Sequence, residues 1–368
     1  MTSAQTRAHL PSFAVIAAAV IFALGSASPA AAFSFGGKKK APPPPPPPPV
    51  EAELPVGPPV LAGYVVQQAG AYATYMRKAS AISPVFANGP SIGDALRVAA
   101  HSEQHQMQQG VVAYAAIVAL QDPTFVNTLK GFASHASSRD AMIGYILTDP
   151  NYVLTLSGHE SAAGLIVSTL NAQAARLTAV ADKVKQESLD IQLKAAWSKK
   201  PVPNPDQRLA DIKGLSVSPL AADEDLKVQL EQAETGVTPV AVGGPPVQPP
   251  YSQAVVRGMA LAALAVLGRA GDNNMDYVMP LLVNDNDGYC FNMARLNLYQ
   301  CLSVARPYYE DIFCLGTHVL GDTGQCVATS IGHPQPAALP VPVIAAVTAD
   351  ATPSGGLGSP LAASPTRR

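Results

Sequence analysis

The last quarter of the chain holds all four of its cysteines: Cys290, Cys301, Cys314 and Cys326. They lie almost symmetrically about the Arg306-Pro307 pair, where proline is expected to end one helix before another begins. Two antiparallel helices joined at Pro307 would bring the inner two cysteines together, and also the outer two. The spacing therefore predicts two nested disulfides across a helical hairpin.

Simple geometry favours this pairing over the other two that four cysteines allow. If residues 287–303 are helical, Cys290 and Cys301 lie about 16 Å apart along the axis, whereas bridged Cα atoms lie within roughly 7 Å. Cys314 and Cys326 lie up to about 18 Å apart, unless the glycines between them fold the chain back. We therefore expect Cys301–Cys314 and Cys290–Cys326. No CxxC pair is present, which disfavours zinc.

Residues 1–32 have the pattern of a secretory signal peptide. Arg7 and His9 precede an apolar run from Phe13 to Leu24, and small residues follow up to a predicted cleavage site after Ala32. The run of about a dozen residues is short of the ~20 that span a bilayer, although an uncleaved anchor is the alternative. An export signal and paired cysteines together predict a periplasmic or secreted protein, with no membrane span after cleavage.

Proline-rich sequence flanks the predicted folded part on both sides. Residues 33–57 include Lys38 to Lys40 and the eight prolines Pro42 to Pro49, which as an extended helix span about 25 Å. This spacer is either a tether that holds the folded part away from a membrane or wall, or a disordered leader. Residues 331–368 are rich in Pro, Ala, Gly and Ser and are predicted to be a disordered tail.

Two proline-poor stretches between these flanks predict two helical domains, at 58–234 and 251–330. The stretch between them, 235–250, is rich in Gly, Val and Pro and is either a linker or an ordered extended strap. Few segments alternate strictly between apolar and polar residues. The predicted fold class is therefore all-α: an antiparallel multi-helix bundle with a disulfide-clamped C-terminal α-hairpin, flanked by disordered Pro-rich segments.

The larger domain contains five predicted helices: Val60–Ser80, Ser91–Leu120, one opening at Asp122-Pro123, Ser138–Leu147, and one from Ser157 to about Trp197. Two of them open with a capping-box pattern, Ser91 with Asp94 and Ser157 with Glu160. The last helix carries an apolar stripe at helical spacing, which predicts core packing. The stripe comprises Leu165, Leu170, Leu177, Val180, Val184, Leu189 and Leu193.

His101 and His105 are the candidate metal ligands, because two histidines four apart on one helix can chelate a transition metal. Glu103 lies about 200° around that helix from the first histidine, so the pattern does not fit a metalloprotease. A third ligand could come from His135 or from His159-Glu160, although Glu160 is also the predicted capping-box partner of Ser157. The alternative interpretation is a solvated polar face.

Two acidic loops, at residues 272–276 and 284–288, suggest calcium. Aligning Gly288 with the glycine of a calcium-binding helix-loop-helix puts Val283 and Ala294 at ligand positions, and neither side chain has an oxygen. Asn, Asp and Gly are also the common turn residues. We therefore expect turns and helix caps here.

Six aromatic residues fall within the predicted hairpin: Tyr289, Phe291, Tyr299, Tyr308, Tyr309 and Phe313. They could form a recognition surface, since tyrosine is favoured at interfaces. The favoured interpretation is that they pack the hairpin onto residues 255–267, because two helices alone bury too little surface.

The sequence contains no GxSxG, SxxK, phosphate-loop or dinucleotide motif, so we expect neither an enzyme nor a bound cofactor. Carboxylate catalysis by residues distant in sequence stays open. A net charge of −2 with 14% charged residues argues against nucleic acid as a partner.

These observations predict an exported, non-enzymatic structural or protein-interaction module of the cell envelope. Its expected partner is an envelope protein or a cell-wall component. The alternative is a periplasmic metal- or small-ligand-binding protein that uses His101 and His105.

Overall fold

We describe a computed structural model over residues 52–283 and 285–332, without the side chains of 285–287. This part of the chain is all-α, as predicted, with thirteen α-helices and no β-strand. The helices are α1 Gly63–Ser80, α2 Gly89–Ala100, α3 Gln104–Ala119, α4 Pro123–Ala133, α5 Ala136–Thr148, α6 His159–Lys194, α7 Pro205–Leu215, α8 Glu224–Glu234, α9 Gln253–Val266, α10 Met275–Leu282, α11 Asp285–Val304, α12 Tyr308–Cys314 and α13 Asp322–Ser330. A π-helix, Leu315–Gly321, joins α12 to α13, and 3₁₀ turns lie at Pro150–Thr155, Ala196–Lys199 and Asp272–Asn274.

The predicted signal peptide, most of the predicted spacer and nearly all of the predicted tail lie outside the described residues. Within residues 52–283 and 285–332, no helix combines the length and the hydropathy needed to cross a bilayer.

Helix α3 lies at the centre of the core and packs against both α1 and α9. Glycines allow these close contacts. A Cβ atom on Gly110 would lie 2.5 Å from Cβ of Tyr72 in α1, and one on Gly258 of α9 would lie 2.7 Å from Cβ of Ala115. Because α3 belongs to the first predicted helical domain and α9 to the second, the two stretches contribute to one hydrophobic core.

The segment 235–250 crosses between the two stretches as an ordered strap. The Gln121 side chain accepts hydrogen bonds from the amides of Val240 at 3.0 Å and Ala241 at 2.8 Å, and donates to the Thr238 carbonyl at 2.9 Å. Further along, the Thr169 hydroxyl accepts from the Val242 amide at 2.8 Å. Side chains of the helical core therefore satisfy backbone groups that a strap without strand partners would leave unpaired.

The prediction of one continuous helix from Ser91 to Leu120 is wrong. α2 ends at Ala100, and α3 begins at Gln104 with Glu103 as its N-cap. The Glu103 carboxylate accepts hydrogen bonds from the amides of His105 at 3.1 Å and Gln106 at 2.8 Å. These bonds satisfy the free amides of a helix start, which favours a break at this point.

Both capping-box predictions are also wrong in detail, because the true caps lie elsewhere. In α2, Asn88 is the N-cap and Ser91 is its partner three residues on. In α6, the N-cap is Gly158, whose φ of 88° suits glycine, and no side chain caps the helix. The prediction for α4 is confirmed, since the Asp122 carboxylate accepts from the Phe125 amide at 2.7 Å.

The apolar stripe of α6 is only partly in the core. Leu170, Leu177 and Val184 are fully buried, but Leu189 is 55% and Leu193 is 82% exposed. The core-packing prediction is therefore wrong for these last two residues. α12, the π-helix and α13 pack along α6 but leave this side of its last turns uncovered.

Candidate functional site: the cysteine segment and its surroundings

The structure joins Cys290 to Cys326 and Cys301 to Cys314, with Cα–Cα distances of 5.6 and 5.7 Å. These are the pairs that the hairpin geometry favours. We call residues 285–330, from α11 through α13, the cysteine segment. All four sulfurs are bonded, so none is available as a nucleophile or a metal ligand in this state.

The Arg306-Pro307 connection of the cysteine segment is fastened to the chain that follows α6. The Val202 amide donates to the Arg306 carbonyl at 2.7 Å, and the Tyr308 amide donates to the Lys200 carbonyl at 3.2 Å. This pair of backbone bonds fixes the turn between α11 and α12.

A buried ion pair joins the cysteine segment to α7. Arg208 pairs with Asp311 of α12, and their side chains are only 11% and 3% exposed. The same guanidinium donates to the carbonyls of Leu302 and Ala305 at the end of α11, where a cation also meets the negative end of the helix dipole. Burial raises the pKa of Asp311 to about 6, although Arg208 opposes the rise.

Two of the six aromatic rings anchor the cysteine segment, but not onto α9. The Tyr299 hydroxyl is hydrogen bonded to the Ser216 hydroxyl, and the Lys213 ammonium lies 5.5 Å from the Tyr299 ring. Tyr308 lies 6.0 Å from Trp197. For these two rings, the interpretation that the cluster packs onto residues 255–267 is wrong, because their partners lie on and after α7 and just after α6.

A small polar cavity lies between the cysteine segment and the α2–α3 break. It is lined by Ser102, Ser216, Arg295, His318 and Thr323, together with apolar side chains, and has a volume of about 10 Å³. This is close to the space of one water molecule, so the cavity is too small for an organic substrate.

One wall of this cavity comes from the π-helix, a conformation that often occurs at functional sites. Nδ1 of His318 lies 3.1 Å from Oδ2 of Asp322, which also accepts from Nδ2 of Asn297 at 3.1 Å. The spacing of four residues between His318 and Asp322 is visible in the sequence and could have indicated this pair. In a cavity of this size, the pair serves as a structural polar contact.

The buried Tyr75 hydroxyl lies near the same cavity. Burial raises the pKa of Tyr75 to about 12, and the hydroxyls of Thr323 and Ser102 oppose the rise. Tyr75 is therefore a neutral phenol at every physiological pH.

The structure does not place His101 and His105 on one helix. Nε2 of His101 lies 3.2 Å from the Pro219 carbonyl oxygen, and Nδ1 of His105 lies 3.0 Å from the Glu103 carboxylate. The expected position of Glu103, about 200° around one helix from His101, is wrong because the helix breaks between them. The described residues contain no group of three or more His, Cys, Asp or Glu side chains arranged to hold a metal. Metal binding by the two histidines stays a prediction.

The two suggested third ligands have local partners. Nδ1 of His135 lies 2.9 Å from the Ser134 hydroxyl, and Nδ1 of His159 lies 2.8 Å from the Leu156 carbonyl oxygen.

The first acidic loop, residues 272–276, caps a helix, since the Asp272 carboxylate accepts a hydrogen bond from the Gly63 amide at the start of α1 at 2.8 Å. The second loop lies partly outside the described residues.

The cysteine segment and the end of α6 leave large apolar side chains exposed. Leu189, Leu193 and Phe313 are 55%, 82% and 42% exposed. We call these three residues the apolar patch.

The chain matches no protein-family model, no curated protein and no solved structure.

Proposed function

We propose that this protein is an exported, non-enzymatic structural or protein-interaction module of the cell envelope. In this proposal the apolar patch contacts an apolar face of a partner, which is an envelope protein or a cell-wall component. The single observation that carries the proposal is the exposure of three large apolar side chains beside a segment held by two disulfides. Exposed apolar patches of this kind commonly mark interaction sites.

Contacts along α6 support the view that the three residues form one surface. A Cβ on Gly324 would lie 2.8 Å from the Thr178 hydroxyl, and one on Gly316 would lie 2.8 Å from the Lys185 amide. The π-helix and the start of α13 therefore run antiparallel to α6, which supports the proposed hairpin packed on a bundle. This register brings Phe313 level with Leu189.

The charges around the patch favour an apolar partner. Lys194 lies 3.0 Å from Asp190, and Lys185 lies 3.4 Å from Asp182, so neighbouring charges on α6 compensate each other. These two pairs leave no net charge among their four residues, so they do not select an acidic or a basic partner. Burial of the apolar side chains would supply the favourable free energy of association.

Two features support an extracytoplasmic location. The two disulfides are compatible with an oxidising compartment, where such bonds persist. Residues 1–32 add the sequence pattern of an export signal. Together they support a partner outside the cytoplasm.

Cross-linking in cells tests the proposal. The triple variant Leu189→Ser, Leu193→Ser, Phe313→Ser is compared with a matched control, Val85→Ser, Val217→Ser, Val237→Ser, which alters three other exposed apolar residues. We expect the natural chain and the control to give the same discrete cross-linked species, and the patch variant to lose it. Equal cross-linking by both variants, or capture of abundant proteins alone, would contradict the proposal.

A further inference from the structure

A cavity of about 310 Å³ lies between α1, α3, α6 and α8, away from the apolar patch. Its volume is at the lower end of the range for small-molecule sites, about 300–1,000 Å³. The lining combines apolar side chains with two arginines, a tyrosine and a glutamine, and includes no acidic residue. The lining residues are Ala73, Met76, Arg77, Ser80, Ala81, Tyr114, Gln173, Arg176 and Leu226.

The two arginines differ in their partners. Arg77 lies 2.5 Å from carboxylate oxygens of both Asp223 and Asp225, so its charge is already balanced. Arg176 uses Nε to donate to the Ala172 carbonyl at 3.2 Å, and forms no ion pair within the part of the chain that the structure describes. The cavity therefore has one uncompensated positive charge, on a guanidinium whose two terminal nitrogens remain available.

Polar groups of the cavity are arranged around Arg176. Tyr72 does not line the cavity, but its hydroxyl donates to Oε1 of Gln173 at 2.8 Å. The amide nitrogen of Gln173 is therefore the donor group of that side chain. Burial raises the pKa of Tyr114, and a hydrogen bond with the Gln173 side chain and the nearby charge of Arg176 oppose the rise. Tyr114 is thus a neutral phenol paired with Gln173, and the Arg176 guanidinium is the charged group of the cavity.

We propose that this cavity binds a small organic monocarboxylate. The Arg176 guanidinium pairs with the carboxylate, since two parallel N–H groups match its two oxygens. Met76 and Leu226 contact the apolar part of the ligand. This site does not depend on the apolar patch, so either proposal can fail without the other.

The test uses hexanoate, with 1-hexanol as an uncharged probe of the same length, in nuclear magnetic resonance titrations of the full chain. We expect hexanoate to shift the amide signals of cavity residues at saturable concentrations, and 1-hexanol to bind at least about tenfold more weakly. Absence of binding, or equal affinity for the two probes, overturns the proposal.

Substitutions locate the site. Arg176→Gln should weaken hexanoate binding about tenfold or more. Arg176→Lys keeps the positive charge but loses the two parallel N–H groups of the guanidinium, so it should give an intermediate affinity. The matched control is Lys183→Gln, which removes an exposed positive charge two turns further along α6 and should leave the affinity unchanged. An equal loss in both glutamine variants would show non-specific attraction and overturn the proposal. Arg176 is exposed, so its variants should fold, and the comparison of the two probes needs no variant.

Discussion

The core around α3 and the cysteine segment are stabilised in different ways. α3 packs between α1 and α9 through small residues, with Gly110 and Gly258 at the closest approaches. The cysteine segment includes α12 and α13, of seven and nine residues, which are too short to be stable as isolated helices. It is held by two disulfides and by the buried pair Arg208–Asp311. Covalent and polar contacts thus add to apolar burial where the helices are short.

Loss of one partner of the buried ion pair should have the largest effect. Asp311→Leu leaves the Arg208 charge buried without a partner, which costs about 3–5 kcal/mol of unfolding free energy. The double variant Arg208→Met, Asp311→Leu should cost much less, because no buried charge remains. Urea denaturation measures both, and a double variant less stable than Asp311→Leu would contradict this account.

Removal of either disulfide should come next, with an effect that follows loop length. Cys290–Cys326 closes 36 residues and Cys301–Cys314 closes 13. The chain-entropy estimate gives about 4 kcal/mol for the longer loop and about 3 kcal/mol for the shorter one. Paired cysteine-to-alanine variants, compared by urea denaturation, test the ranking. A larger loss from the shorter loop would show that native contacts, not loop entropy, dominate.

Acidification from pH 8 to about 5 should stabilise the protein through Glu234, the last residue of α8. Burial raises the pKa of Glu234 to about 7, whereas a glutamate in an unfolded chain has a pKa near 4. The folded state binds more protons between these values, so the free energy of unfolding rises as pH falls, by about 1–3 kcal/mol.

Thermal denaturation across this pH range measures the effect. Glu234→Gln should remove this increase. Below about pH 4 the trend should reverse, because hydrogen bonds from Lys78 and Arg77 lower the pKa values of Asp223 and Asp225. A stability that falls steadily from pH 8 to pH 5 would contradict the assignment.

The smallest effects should come from two glycines that differ in their surroundings. Gly258→Ala forces a methyl group against Ala115 and should cost about 1–3 kcal/mol. Gly144 of α5 has open space around its Cβ position, so Gly144→Ala should stabilise the protein by up to about 1 kcal/mol. Urea denaturation of the two variants should therefore give changes of opposite sign.

Local signals in the sequence predicted the features that depend on neighbouring residues. Asp122-Pro123 starts α4 because a cap and an N1 proline act within one turn. The sequence does not predict the break before α3, because glutamate is not among the preferred N-cap residues and Glu103 therefore gives no stop signal. Without that break the sequence predicts that His101 and His105 share one helix, which they do not.

Contacts between residues that are distant in sequence are not predicted by local sequence patterns. Arg208 and Asp311 lie 103 residues apart, and neither position stands out in the sequence. The cavity at Arg176 depends on four helices that come together only in the folded chain. Cysteines are the exception among distant contacts, because disulfide geometry restricts which of them can pair.

The strap also determines how two copies of this chain can exchange parts. Its start is bonded to Gln121 and Thr169, and its later residues are held by the bond from the Val247 amide to the Glu160 carbonyl at 3.0 Å. A hinge for domain swapping must be free to straighten. Here the strap is hydrogen bonded to the core at several points. The C-terminal half can therefore exchange with a neighbouring copy only after these hydrogen bonds have broken.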